Sequence, residues 1–313
     1  MPSKGKRARD DRRESEARMI IDMCVTPPHP RVLLGLLQPM PHLEGYHRLY
    51  GASAEMRRFA ENFTVEDFIS MMDEAGIDLA VLHGEDQETT FNKRIPNELV
   101  AEVVESHPDR FLGFAGVDPH KGKAAVRELR SAVRERGFAG AMISPWEHLL
   151  FSDDEKYFPL YEACVELDVP IWIHASVNFS RQIPMEYGHP LRLDRVAVRF
   201  PELKIIAGHA GWPWVLEMVA VAWRHPNVYL DISGIRQKYM GMPDTGWEPL
   251  MHYGNTVIQD KVLFATAWPL LPLDQAVRDV MGLPLKDEVK RKWMGENAAR
   301  LLGIRLPGKE GDA

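Results

Sequence analysis

The sequence predicts an α/β protein built as a single (β/α)8 TIM barrel with long βα loops, and three observations predict it. Eight short apolar runs recur along the 313 residues, each followed by a turn or a polar loop. Segments with apolar residues every three or four positions separate them, the signature of repeated βα units. The runs are continuously apolar, as parallel strands buried on both faces are. An open doubly wound sheet would want a Gly-rich phosphate turn after the first run, and "CVTPPHP" is Pro-rich instead.

The expected strands are 19–25 ("MIIDMCV"), 79–83, 111–117, 139–143, 169–174 ("VPIWIH"), 203–209 ("LKIIAGH"), 228–232 and 262–266 ("VLFAT"). The clearest helix signal lies between the first two: Thr64 as N-cap, Asp67 three residues on, and Gly76 as the stop. Helices are expected over 97–107, 121–136, 153–167, 190–200, 212–224, 248–257, 273–281 and 286–302. Two connections are long, 26–63 and 233–246, as lids and binding loops are. The first holds enough aromatic and Met residues to pack as a cap. Its segment "LLGLLQPMPHL" reads either as a partner surface or as a lid folded back on the barrel.

Residues 1–18 carry seven Lys or Arg and four Asp or Glu with almost nothing to bury, and read as a disordered charged tail. The barrel is placed over 19–303, and 304–313 as a C-terminal tail. A net charge of -7 argues against a nucleic-acid binder. No run of eighteen apolar residues offers a membrane span. Two cysteines, Cys24 and Cys164, are too few for a disulfide framework, so the expected location is cytoplasmic.

In such a barrel the chemistry sits where strands end and βα loops begin. Those positions hold Asp22, Cys24 and Thr26, then His83, Asp118, Ser144, His174, His209, Asp231, Ser233 and Ala267. Alternation places Asp22, Cys24 and Thr26 on one inward face, with Asp22 pinning neighbouring backbone. Gly208 and Gly211 beside His209 allow a close approach to something in the pocket. Trp212, Trp214 and Trp223 read as helix packing.

"PIWIHAS", "RFPELKIIAGHAGWPWVLEMVAVAWRHPNVYLDISG", "KVLFATAWP" and "GENAARLLGI" resemble the fifth to eighth strands and closing helix of the amidohydrolase superfamily, in its amidohydrolase-related branch of decarboxylases, hydratases and hydrolases. The likeness covers 19–303. It implies a divalent metal held by an H-x-H pair on the first strand, a His on the fifth and an Asp on the eighth, with a sixth-strand His assisting. Here Cys24 and Thr26 stand at the pair and Ala267 at the Asp, while His174 and His209 match. Alanine donates nothing, and threonine is a poor ligand. The cofactor is therefore none, or one divalent metal, zinc first, on Cys24, His174 and His209 with water completing the set. The competing reading makes Cys24 a small buried hydrophobe.

The resemblance supports two functions. The first is a metal-ligand-depleted, non-catalytic barrel supporting an active homologue, as in the two-barrel non-haem metal oxygenases of this superfamily, or otherwise a homo-oligomer. The second is an active hydrolase or decarboxylase on a small carboxylic acid, with His209 as acid or base in a rewired His/Cys site. Neither reading involves nucleic acid or membrane.

Overall fold

The computed structural model describes residues 19–50 and 54–306. The expected tail over 1–18 and residues 307–313 lie outside the described residues. The chain forms β1 (Ile21–Val25), β2 (Leu79–His83), β3 (Glu85–Gln87), β4 (Lys93–Ile95), β5 (Phe111–Gly116), β6 (Gly140–Ile143), β7 (Ile171–His174), β8 (Ile205–Gly208), β9 (Val228–Asp231) and β10 (Val262–Leu263). Eight of them make one parallel sheet in the order β1-β2-β5-β6-β7-β8-β9-β10. β3 and β4 form an antiparallel hairpin after β2. All eight expected strands are present, and their residues are almost wholly buried because helices cover the outside.

Closure between β10 and β1 is looser than a ladder. A bridge at Val25 and Trp268 marks it. Backbone bonds from Met23 N to Phe264 O (3.0 Å), Thr26 N to Trp268 O (2.9 Å) and Ala267 N to Cys24 O (2.8 Å) sew the seam. Asp22 reinforces it by accepting from Thr266 N (2.9 Å), Thr266 Oγ1 (2.6 Å) and Cys24 N (3.2 Å). A register shift between Asp22 and Val25 interrupts the expected alternation. Cys24 consequently joins Ile21 and Met23 in the inner apolar cluster, while Asp22 turns to the seam.

The long connection after β1 folds into α1 (Pro30–Leu36), α2 (Glu44–Tyr50) and α3 (Ala54–Asn62), followed by α4 (Val65–Ala75). Thr64 and Asp67 close the expected capping box on α4, and Gly76 ends it in the left-handed region at φ 73°. Of the apolar segment expected as a lid or partner surface, Leu33 is buried in the main core and Leu34, Leu36 and Leu37 pack half-buried against it. Phe63 stacks on Trp268 at 5.3 Å, fixing the end of this cap to the seam. The remaining barrel helices include α5 (Asn97–Ser106), α6 (Lys123–Arg136), α7 (Phe158–Glu166), α8 (Leu191–Arg199), α9 (Val215–Arg224), α10 (Glu248–Gly254), α11 (Leu273–Met281) and α12 (Asn297–Leu302). Beyond α12, Ile304 and Leu306 pack against the inner cluster. No helix among the described residues is long and apolar enough to cross a membrane.

Candidate active site

The carboxyl ends of the strands open into one cavity of about 250 Å³, with Cys24, His83, His174, His209 and Ala267 on its lining. The side from β7 to β9 is the more highly organised. Gly208 ends β8 bare because a Cβ there would lie 2.1 Å from the Trp172 ring. That close fit lets the Trp172 indole N–H donate to Asp231 Oδ2. Asp231 Oδ1 meanwhile accepts from His209 N (3.2 Å), Ser233 N (2.9 Å) and Ser233 Oγ (2.5 Å).

This network fixes the His209 tautomer. A serine hydroxyl has one hydrogen. Ser233 gives it to Asp231, so the 2.8 Å contact with His209 Nδ1 is a bond donated by the imidazole. The proton sits on Nδ1, leaving Nε2 as the basic nitrogen. Burial lowers the pKa of His209 while the Asp231 charge and Ser233 oppose it. His174 lies with its ring centroid 4.9 Å away. Burial and His209 hold its pKa well below the usual value, and its Nδ1 is buried with no hydrogen-bond partner.

On the other side, His83 Nε2 donates to Met23 O at 2.9 Å, so Nδ1 is the acceptor facing Cys24 Sγ at 3.9 Å. Burial lowers His83 to about 4. Burial, then the Asp231 and Asp22 charges, raise the Cys24 thiol well above its ordinary value. Burial thus holds Cys24 as a neutral thiol rather than a nucleophilic thiolate. Ala267 sits at φ 57°, in the left-handed region.

Several cavity residues escape strand-end reasoning. Lys93 reaches in from the β3–β4 hairpin, 2.5 Å from Glu85 Oε2 and 2.9 Å from Glu147 Oε1. Burial opposes its charge, but Glu147 and Glu85 outweigh that and raise its pKa. Glu147 and Trp146 follow Ser144 on the one-turn helix Pro145–His148 after β6. Tyr46 of α2 stacks on Trp146 at 5.7 Å. The available sequence signal was "SPWEH", polar and aromatic residues directly after a strand. Asp118, by contrast, does not line the cavity; it accepts from His120 N (2.9 Å) and Thr89 N (3.1 Å), capping a turn.

A family model described as amidohydrolase matches residues 46–304. The chain belongs to the amidohydrolase family. It is 25% identical over 290 residues to the gamma-resorcylate decarboxylase of Polaromonas sp., covering 75% of this chain and 86% of that one. An uncharacterized TIM-barrel protein from Bordetella bronchiseptica superposes with a TM-score of 0.74 at 26% identity, covering 91% and 98% of the two chains. A 5-carboxyvanillate decarboxylase from Novosphingobium aromaticivorans, complexed with manganese and 4-hydroxy-3-methoxy-5-nitrobenzoic acid, superposes at 0.67 with 20% identity, covering 92% and 97%.

These relatives correct the first functional expectation. The non-catalytic supporting barrel of an oxygenase-type complex is not supported: gamma-resorcylate decarboxylases are among the chain's relatives, which fits the second reading better. The divalent metal of the neighbours also meets a test here. Cys24, His174 and His209 line one cavity, yet among the described residues no three His, Cys, Asp or Glu side chains are grouped to hold a metal. Thr26 and Ala267 add no strong donor, Asp22 is committed to Thr266, and the Cys24 thiol faces His83 Nδ1 at 3.9 Å. The donor set does not fit the family's metal.

Proposed function

We propose that this amidohydrolase-family barrel is a decarboxylase of a small ring-bearing carboxylic acid and that His209 moves the proton the reaction needs. One observation carries the reading: a neutral imidazole whose Nδ1–H is held by Ser233 and Asp231 while the ring lines the strand-end cavity. The gamma-resorcylate decarboxylases among its relatives support the substrate class.

Decarboxylation breaks the bond from ring carbon to carboxylate carbon. The electron pair stays on the ring, carbon dioxide leaves, and one proton must arrive at that carbon. His209 Nε2 takes this proton from solvent as the anion binds. Lys93 is shared by Glu85 and Glu147, so that cluster alone does not neutralise an entering carboxylate. The substrate's negative charge therefore favours the imidazolium, whose Nδ1–H remains bonded toward Asp231. The charged imidazole then gives its Nε2 proton to the ring carbon, completing the exchange of carboxylate for hydrogen. Trp146 and Tyr46 supply flat faces for the ring. No step here passes through a metal: zinc, expected first from the thiol and imidazoles, finds no grouped donors, and the neighbour above carries manganese.

The test is carbon dioxide release from a panel of hydroxybenzoates, methoxybenzoates and carboxymuconate-type acids, with and without manganese or a chelator. Release from a ring acid that persists with chelator is expected. No release from any acid under any condition would overturn the reading. The partner in this proposal is a second copy of the chain. Leu191 and Val198 of α8 and Leu216 and Trp223 of α9, each more than half exposed, are the side chains a contact between copies would cover.

A further inference from the structure

The cavity is two-sided, and its sides follow the order of the strands. The β3–β4 hairpin after β2, the turn after β6, and the ends of β7 and β8 bring Lys93, Glu85, Glu147, His174 and His209. The opposite sector, β10 and β1, brings Leu33, Leu36 and Leu37 on and just after α1, Phe59 and Ala60 of α3, and Leu270. The family's donor positions Cys24 and Ala267 belong to this second sector, and both sit in the inner apolar cluster. The apolar wall thus runs from the cap to the floor of the barrel.

Such a wall is a poor neighbour for a ring bearing only hydroxyls, whose hydration it cannot replace. It suits hydrocarbon, which gains by leaving water in proportion to the area buried. We infer that the substrate is an amphiphilic ring acid, its carboxylate beside His174 and His209 and an alkyl substituent against the Leu33, Leu36, Leu37 and Leu270 wall. The inference rests on the proposed decarboxylase reading for its head group, but the tail follows from the wall alone. The cap helices are the segment expected from sequence as a lid or partner surface, and their leucines have this occupant instead.

Binding and turnover separate the two claims. The probes are hydroxybenzoates carrying methyl, propyl or pentyl chains at each free ring position, beside the unsubstituted acids. Affinity is read by titration calorimetry and carbon dioxide release is measured in parallel. For at least one ring position, dissociation constants should fall about fourfold per methylene until the wall is covered. Leu37→Asn and Ala267→Asp should each flatten that dependence, and circular dichroism with the full chain checks that both variants are folded. Chain-dependent affinity without carbon dioxide release would uphold the tail and sink the decarboxylase. Release with no chain-length dependence, or no binding by any member of the series, would overturn the amphiphilic substrate. If Leu37→Asn fails to fold, Phe59→Ser, at a side chain already 43% exposed, takes its place.

Discussion

The β7–β9 strand ends and the β10–β1 seam occupy the same rim of one barrel, yet they have kept different things. The first region retains chemistry: two imidazoles, and an aspartate that collects three donors on one oxygen and an indole on the other. The second retains architecture: Asp22, Thr266 and three backbone bonds hold the seam, while the positions facing the cavity include a thiol, a methyl group and the threonine Thr26. A strand-end site is therefore divisible. The bonds that close a barrel and the groups that react inside it are different atoms, and one set can change while the other stays.

The largest expected effect breaks or keeps that division directly. His209→Gln should lower carbon dioxide release by about 10²–10⁴-fold. Cys24→Ser, in the seam, should cost about tenfold or less, because a protonated thiol facing His83 has no step to perform. Equal losses in the two variants would show that the seam still reacts.

The seam's own signature is a pH dependence. Burial raises the Asp22 carboxyl to about 7, with the Thr266 bonds opposing. A folded pKa above the unfolded value means that the folded state holds the proton more tightly. The stabilisation is complete below the ordinary value near 3.8 and is lost as pH rises through about 7. Asp22→Asn cannot titrate, so its stability relative to the wild type should rise between pH 4 and 7.5, by on the order of 4 kcal/mol at most. Using the difference removes the opposite trend from His83 and His148, whose pKa values burial lowers to about 4. Urea unfolding of both proteins across this range measures it; a flat difference would mean that Asp22 stays charged.

Much of this was legible in the chain. Continuous apolar runs name parallel strands whatever their ligands, so the eight strands and the Thr64–Asp67 box follow from local rules. His174 and His209 were placed by a strand-end rule that needs only order along the sequence. Lys93 and Tyr46 escaped it because each enters from a loop element, a hairpin and a cap helix, whose docking depends on contacts between distant segments. The inward face of Cys24 was read correctly, but the alternation behind it fails at the bulge in β1, which no residue type in "IDMCV" announces. The sequence groups Cys24 with the histidines as a metal site; the three line one cavity, but the thiol faces His83, a neighbour that strand-end order alone does not single out.

The smallest effect lies at Ala267. Its φ of 57° places a Cβ where L-residues are disfavoured, a cost of about 1 kcal/mol that aspartate or asparagine in the left-handed region partly escapes. The backbone conformation there is set by the bond from Ala267 N to Cys24 O and by the neighbouring seam bonds, so it does not depend on a side chain suited to it. Ala267→Gly removes the Cβ and keeps the N–H. It should raise stability by about 0.5 kcal/mol, less than the full relief because glycine also frees the unfolded chain. A loss of stability in urea unfolding would instead mean that the methyl group's packing in the inner cluster exceeds the strain, and that the seam has adapted to alanine rather than merely tolerating it.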